Sequence, residues 1–128
     1  MKKAFIFLIL LLFLAACSSA NAYHETIRES FAEDTEVIRD LVVGASEEGR
    51  DFTEEEQDKL DSYISKYENN LDSKDESHAF IMTYNLVEEH SPSLLPSDLE
   101  KIESYGVNIQ ATLEGGFEKY KEINSEDN

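Results

Sequence analysis

This 128-residue sequence has one cysteine, no tryptophan and two prolines, and it is poor in positive charge. A single cysteine cannot form an intramolecular disulfide, and it excludes the cysteine clusters of zinc sites. Eleven lysines and arginines stand against 28 aspartates and glutamates. So acidic a chain repels phosphate groups, which disfavours nucleic acid and anionic lipid headgroups as partners.

The N-terminal segment has the pattern of an export signal. Lys2 and Lys3 precede an uninterrupted apolar run of 13 residues (4–16). A membrane-spanning helix needs about 17–25 apolar residues, so this run is too short to remain as a transmembrane anchor. Basic residues, a short apolar core and small residues at its end are typical of a secretory signal. We therefore predict a cleaved signal peptide over 1–16.

The end of this signal, Leu14-Ala15-Ala16-Cys17, resembles the lipobox of bacterial lipoproteins. The resemblance implies that the sulfur of Cys17 forms a thioether to diacylglycerol, that the signal is cut before it, and that the freed amine is acylated, as with palmitate. One acyl chain binds a bilayer marginally and two hold stably. The alternative is an ordinary secretory signal with a chance cysteine, although Cys17 is the only cysteine and lies where the family requires it.

The same resemblance places the mature protein at the cell membrane, lipid-anchored and facing outward. In a host with two membranes it would face the periplasm, and Ser18 in place of aspartate would resemble proteins sent to the outer membrane. The tether (17–22) is short, so we expect the domain to lie close to the bilayer. The mature chain has nine basic and 28 acidic residues, hence a side-chain net charge of −19.

Beyond the tether, apolar residues recur at helical spacing and no segment alternates as a strand does. The predicted fold class is all-α, a small bundle of about four amphipathic helices in an acidic domain over 23–125, followed by frayed residues 126–128. The first helix is predicted over 24–43, with Gly44 ending it in a left-handed conformation. Capping patterns predict the other helix starts at Thr53, Ser73 and Ser97.

The last two helices carry further expectations. The third has apolar residues around most of its circumference, so it should be largely enclosed by its neighbours and should end before Ser91-Pro92. The fourth keeps one apolar face from Leu99 to Ile123, and Gly106 and Gly116 lie on it, where a missing side chain lets another helix approach closely. Gly115-Gly116 could break this helix, but the continuous phase favours continuation or a kink.

No pattern in the mature domain indicates an enzyme. The three histidines do not share the spacing of a zinc site, and His90 is interpreted as a cation at a helix C-terminus. The acidic segments 47–51 and 69–76 could offer oxygens to calcium but lack the ligand order of an EF-hand. We therefore predict no catalytic residue, no cofactor and no metal site.

The most informative pattern is a stripe of carboxylates on the first predicted helix, formed by Glu25, Glu29, Glu33, Glu36 and Asp40. Like charges at this spacing destabilise a helix by about 0.2–0.5 kcal/mol per pair. Two interpretations stay open. The stripe is a solvated face that keeps the protein soluble, or it is a docking surface for a basic segment of another envelope protein.

The function predicted from these observations is that of a non-enzymatic, partner-binding lipoprotein of the cell envelope. Small lipoproteins of this plan include proteins that exclude phage or conjugative DNA and immunity proteins against bacteriocins, an analogy of size, anchor and class only. The alternative is a binder of a divalent cation or small ligand. The mature domain resembles no family that we can name.

Overall fold

The computed structural model describes residues 23–125, which form four α-helices and no strand. The helices are α1 (Glu29–Glu48), α2 (Glu54–Tyr67), α3 (Lys74–Glu89) and α4 (Pro96–Ser125). α1 contacts each of the other three, and α3 and α4 share the most extensive interface. The predicted all-α bundle is thus confirmed for this part of the chain. The predicted signal peptide, the lipid site Cys17, the tether and residues 126–128 lie outside the described residues.

α1 is displaced from its predicted bounds of 24–43. Gly44 lies inside the helix, and the residue that ends it is Gly49, with φ 62° and ψ 43°. The prediction of Gly44 as the terminator is therefore wrong. A glycine inside a helix destabilises it by only about 0.5–1 kcal/mol. The burial of Ala45 and Ser46 in the next turn offsets this cost.

The capping predictions have different outcomes. At α2 the capping box is complete, since Thr53 Oγ1 accepts from the Glu56 N–H (3.2 Å) and Glu56 reaches back to the Thr53 N–H (2.9 Å). At α4 the prediction is wrong, because the helix starts at Pro96 and Ser97 lies inside it. Proline lacks the N–H that the first turn leaves unbonded, so Pro96 starts the helix without loss.

The core lies where α1 packs against the other helices. Its largest fully buried side chains include one or more from every helix: Phe31, Val42, Leu60, Tyr67, Leu86, Ile102, Ile109 and Leu113. Phe31 packs edge-on against Tyr67 with ring centroids 4.9 Å apart, which joins α1 to α2. A single contiguous core therefore holds all four helices.

α3 is less enclosed than its sequence predicts. Ala79, Met82 and Leu86 are buried, but Ile81 and Tyr84 are 57% and 42% exposed. α1 and α4 cover one side of α3, and a bundle of four helices has no further element to cover the outer side. The prediction of a largely enclosed helix is wrong for that side.

α4 is broken at Gly116, whose φ of 69° and ψ of −172° are non-helical. In a straight helix Asn108 and Asn124 would lie about 24 Å apart, at 1.5 Å per residue. Instead the Asn124 side-chain amide donates to Asn108 Oδ1 (3.2 Å), so the chain reverses at Gly116. The second limb (117–125) folds back along the first (96–115), and the expected continuation or kink is corrected to a reversal.

Candidate functional site

Four of the five predicted docking carboxylates lie on the solvent side of α1, opposite its buried residues. We call them the acidic face: Glu29, Glu33, Glu36 and Asp40. All are exposed except Glu36, which is partly covered. Glu25 lies in a turn before α1, so the prediction that it continues the helical stripe is wrong.

The acidic face keeps its charge because the basic residues of 23–125 are used elsewhere. Every arginine there, and every lysine except Lys74, lies within 3.3 Å of a carboxylate. On the acidic face only Asp40 takes part, through Arg39 (2.7 Å). Within the described chain, Glu29 and Glu33 therefore have no cationic partner.

Tyr23 lies against one flank of the acidic face. Its hydroxyl donates a hydrogen bond to Glu36 Oε2 (2.9 Å). Burial, this hydrogen bond and the nearby carboxylates of Glu36, Glu33 and Glu29 raise the pKa of Tyr23 to about 12. The first residue after the tether is thus fixed to α1 as a neutral donor.

A groove of about 470 Å³ between α1 and α2 borders the acidic face on its other flank. Its apolar surface comes from Val37, Ile38 and Tyr63, and Val37 is 54% exposed. Val37 lies one helical turn from Glu33, so the groove and the acidic face form one surface. The polar rim is formed by Asp34, Glu55, Asp58, Lys59, Ser62 and Lys66. Both rim lysines already pair with rim carboxylates, which leaves Asp58 without an ion pair in residues 23–125.

Asp75 ties the beginning of the domain to the break in α4. Its carboxylate accepts from the Thr26 hydroxyl (2.5 Å) and from the Phe117 N–H (2.8 Å), and it lies 3.7 Å from His24 Nδ1. The Thr26 hydrogen bond is the main cause of the lowered pKa of Asp75. Because the His24 N–H also donates to Leu113 O (2.8 Å), the chain enters the bundle beside the break.

Glu76 joins the starts of α1 and α3 and is fully buried. It accepts from the Arg28 guanidinium (2.8 Å) and from the backbone N–H groups of Arg28 and Asp72 (2.8 Å each). Burial alone would raise the pKa of Glu76, but these hydrogen bonds outweigh it and lower the pKa. Arg28 also donates to Asn70 O (2.7 Å), which brings in the end of α2. Sequence reasoning missed this pair because its members are 48 positions apart.

His78 and His90 each pack against aromatic rings. His90 bonds Ser46 Oγ through Nδ1 (2.8 Å) and packs against Phe52 (4.2 Å between centroids). Burial lowers the pKa values of both His90 and His78. His90 does lie at the C-terminal end of α3, but burial makes its ring bind a proton more weakly, which disfavours its interpretation as a helix-terminal cation.

Four carboxylates in the acidic segments considered for calcium bind side chains of this protein. In 69–76, Asp72 and Glu76 pair with Arg28 and Asp75 binds Thr26. In 47–51, Glu48 pairs with Arg50 (2.5 Å). Among residues 23–125, no group of three or more His, Cys, Asp or Glu side chains is placed to hold a metal ion.

Over 23–125, none of the helices has the length and apolar character needed to cross a membrane. No protein-family model matches the chain, and no curated protein or solved structure is significantly similar to it.

Proposed function

We propose that this protein is a bacterial lipoprotein, held at the outer side of a cell membrane by a diacylglyceryl thioether and an N-linked acyl chain such as palmitate on Cys17. The lipobox-like Leu14-Ala15-Ala16-Cys17, placed after two lysines and a 13-residue apolar run (4–16), supports this proposal. Only five residues (18–22) separate the lipidated cysteine from the first described residue, Tyr23. The anchor therefore keeps the domain near the bilayer, on the periplasmic side in a host with two membranes.

The domain in this proposal is a non-enzymatic binding module, and the acidic face receives a basic segment of another envelope protein. The observation that carries the proposal is that Glu29 and Glu33 have no cationic partner within 23–125. Nearly every basic residue there is already paired with another carboxylate. A partner's lysines or arginines would supply the missing charges and speed the encounter.

The neighbouring groove adds an apolar component to this surface. An amphipathic basic segment could place its cations on the acidic face and one apolar side chain on Val37, which is 54% exposed. Helix-in-groove recognition uses such anchors one turn apart. The partner chemistry proposed is thus basic and amphipathic. Entry-exclusion and immunity lipoproteins offer an analogy in size, anchor and class.

The anchor is tested by mass spectrometry of the processed N-terminus and by fractionation of cells that carry Cys17→Ala. We expect the wild-type N-terminal peptide to carry the mass of diacylglycerol and an acyl chain, and the variant to leave the membrane fraction. Ser18→Ala is the matched control, because it changes the adjacent residue and keeps the thiol. An unmodified thiol, or a Cys17→Ala protein as firmly bound as wild type, would refute the anchor.

The docking surface is tested by crosslinking in intact cells. Glu29→Lys with Glu33→Lys reverses two exposed charges on the acidic face, and Glu100→Lys with Glu103→Lys reverses two exposed charges on α4. Both pairs change the net charge equally. We expect a crosslinked partner that is lost only with the first pair. Equal effects of the two pairs, or no effect of either, would show that the acidic face is only a solvated surface.

A further inference from the structure

We infer that the second limb of α4 (117–125) forms a face that contacts the lipid bilayer beside the anchor, an inference that rests on the proposed lipidation of Cys17. We call three of its side chains the aromatic face: Phe117, Tyr120 and Lys121, of which Tyr120 is half-buried and also packs against the core. The occupant of this face is thus the bilayer surface itself, whereas the acidic face binds a protein partner.

The tether enters the domain next to this limb. The His24 N–H donates to Leu113 O (2.8 Å), and the Asp75 carboxylate binds the Phe117 N–H (2.8 Å) while lying 3.7 Å from the His24 ring. Seven residue steps separate Cys17 from His24, and they reach at most about 25 Å when fully extended. The end of the bundle that bears Phe117 therefore lies within reach of the anchor, as does the flank of α1 where Tyr23 bonds Glu36.

The aromatic face has the chemistry of a bilayer interface. Phe117 is 38% exposed, its ring stacks on Tyr120 (5.6 Å between centroids), and the Lys121 ammonium lies 5.2 Å from the centre of the Phe117 ring. His78 of α3 packs against both rings (4.5 and 4.6 Å) and supports them from beneath. Tyrosine and lysine are common at the headgroup level, where rings enter the apolar boundary and ammonium groups reach the phosphates.

Charge also favours this face over the rest of an acidic domain. Within 117–125, Lys119 pairs with Glu122 (3.3 Å) and Lys121 with Glu118 (2.6 Å), so the limb has no net charge. Among the lysines of 23–125, Lys74 is the one without an ion pair, and it adjoins Asp75 in the sequence. With Glu126 and Asp127, which follow the limb in the sequence, 117–127 have a net charge of −2, against four carboxylates on the acidic face of α1. An anionic bilayer therefore repels the acidic face more strongly, so charge favours the limb among the surfaces that the tether can reach.

The absence of tryptophan makes the orientation measurable with a single introduced probe. The mature chain (17–128) is coupled through its only thiol, Cys17, to a maleimide-headgroup lipid in phosphatidylcholine–phosphatidylglycerol vesicles that contain lipid brominated high on the acyl chain. Phe117→Trp reports from the aromatic face, and Val37→Trp reports from the groove, where the native side chain is also exposed. We expect the emission of Trp at 117 to shift to shorter wavelength and to lose several-fold more intensity than that of Trp at 37.

The introduced tryptophan could itself bind the bilayer, so hydrogen exchange is measured on the tethered protein with its native Phe117 and Val37. We expect amides of 117–125 to exchange more slowly when the chain is tethered than when it is free, and amides of α1 to be unchanged. Equal quenching at 117 and 37, no quenching at either, or unchanged exchange in 117–125 would overturn the inference. Chemical coupling bypasses cellular processing, so this result is separate from the mass measurement that decides whether cells lipidate Cys17.

Discussion

At the scale of single residues, Glu76 shows how a local pattern can mislead. It follows Ser73 at the spacing of a capping box, and Ser73 Oγ does accept from the Glu76 N–H (3.0 Å). The Glu76 carboxylate, however, turns away to Arg28 and to the backbone N–H of Asp72. A buried carboxylate is tolerated because these donors satisfy it and the guanidinium balances its charge.

We expect Glu76→Gln to destabilise the domain by about 3 kcal/mol, because it removes the charge that balances the partly buried Arg28 guanidinium. Urea unfolding followed by circular dichroism measures the change. Glu55→Gln is the control, since Glu55 is 80% exposed and pairs with Lys59 on the surface. Its effect should stay within about 0.5 kcal/mol. Equal effects of the two substitutions would show that Arg28 and Glu76 do not depend on each other.

Two histidines give the domain a predictable response to acid. Burial lowers the pKa values of His78 and His90, so each ring binds a proton more weakly in the folded than in the unfolded chain. Their contribution to stability is present above the unfolded value of about 6.5 and is lost as the pH falls through the lower folded value. We expect the urea concentration at the unfolding midpoint to decrease as the pH is lowered from about 7.5 to about 5.5. NMR titration of both imidazoles tests whether these histidines cause the decrease. Imidazole titration midpoints at or above pH 6.5 would contradict this cause.

At the scale of elements, the helix ends divide into those set locally and those set by distant contacts. The capping box at Thr53 involves residues three positions apart, so the sequence alone predicts it. The start of α1 has no side-chain cap of its own. The Arg28 N–H is bonded by Glu76 of α3 instead (2.8 Å). No local pattern could therefore place that start.

The reversal in α4 should depend on Gly116 and not on glycine in general. At φ 69° and ψ −172° a side chain is strongly disfavoured, and an added Cβ would lie 3.3 Å from Asp75. We expect Gly116→Ala to destabilise the domain by about 1–3 kcal/mol. Gly44→Ala is the matched control inside α1, where an added Cβ meets nothing within 4 Å.

The control should stabilise the domain by about 0.5–1 kcal/mol, because alanine restricts the unfolded chain more than glycine does. Thermal or urea unfolding of both variants measures the contrast. Effects of the same sign would contradict the reversal at Gly116. The continuous apolar phase of 99–123 hid the reversal, because the second limb also turns an apolar side chain inward: Tyr120 packs against the core and against His78 of α3.

At the scale of the whole molecule, charge is the dominant feature. Residues 17–128 have nine basic and 28 acidic side chains, a side-chain net charge of −19. The few basic side chains form ion pairs such as Arg50–Glu56 (2.8 Å) and Lys101–Glu89 (2.8 Å). The acidic face of α1 is one part of this surplus, and its like charges produce a repulsion in the folded state that salt should screen.

We expect the free energy of unfolding to rise by about 1 kcal/mol from low to physiological ionic strength. Salt screens the repulsion in the three like-charge pairs of the acidic face, which are Glu29–Glu33, Glu33–Glu36 and Glu36–Asp40. Thermal melts in sodium chloride measure the rise. Calcium chloride at equal ionic strength is the comparison, and we expect the same midpoint. A higher midpoint in calcium would indicate a specific cation site and would support the alternative function.

The sequence by itself determined the helical class, the two capping residues Thr53 and Ser73, and the spacing that puts Glu29, Glu33, Glu36 and Asp40 on one side of a helix. Each of these depends on residues within one or two turns, where the periodicity of the helix decides which side chains are neighbours. Only the tertiary structure decided that Glu76 binds Arg28, that Asp75 joins His24 to Phe117, and that α4 reverses at Gly116. Those contacts join residues about 16 to 50 positions apart, and their geometry arises only when the four helices pack around one core.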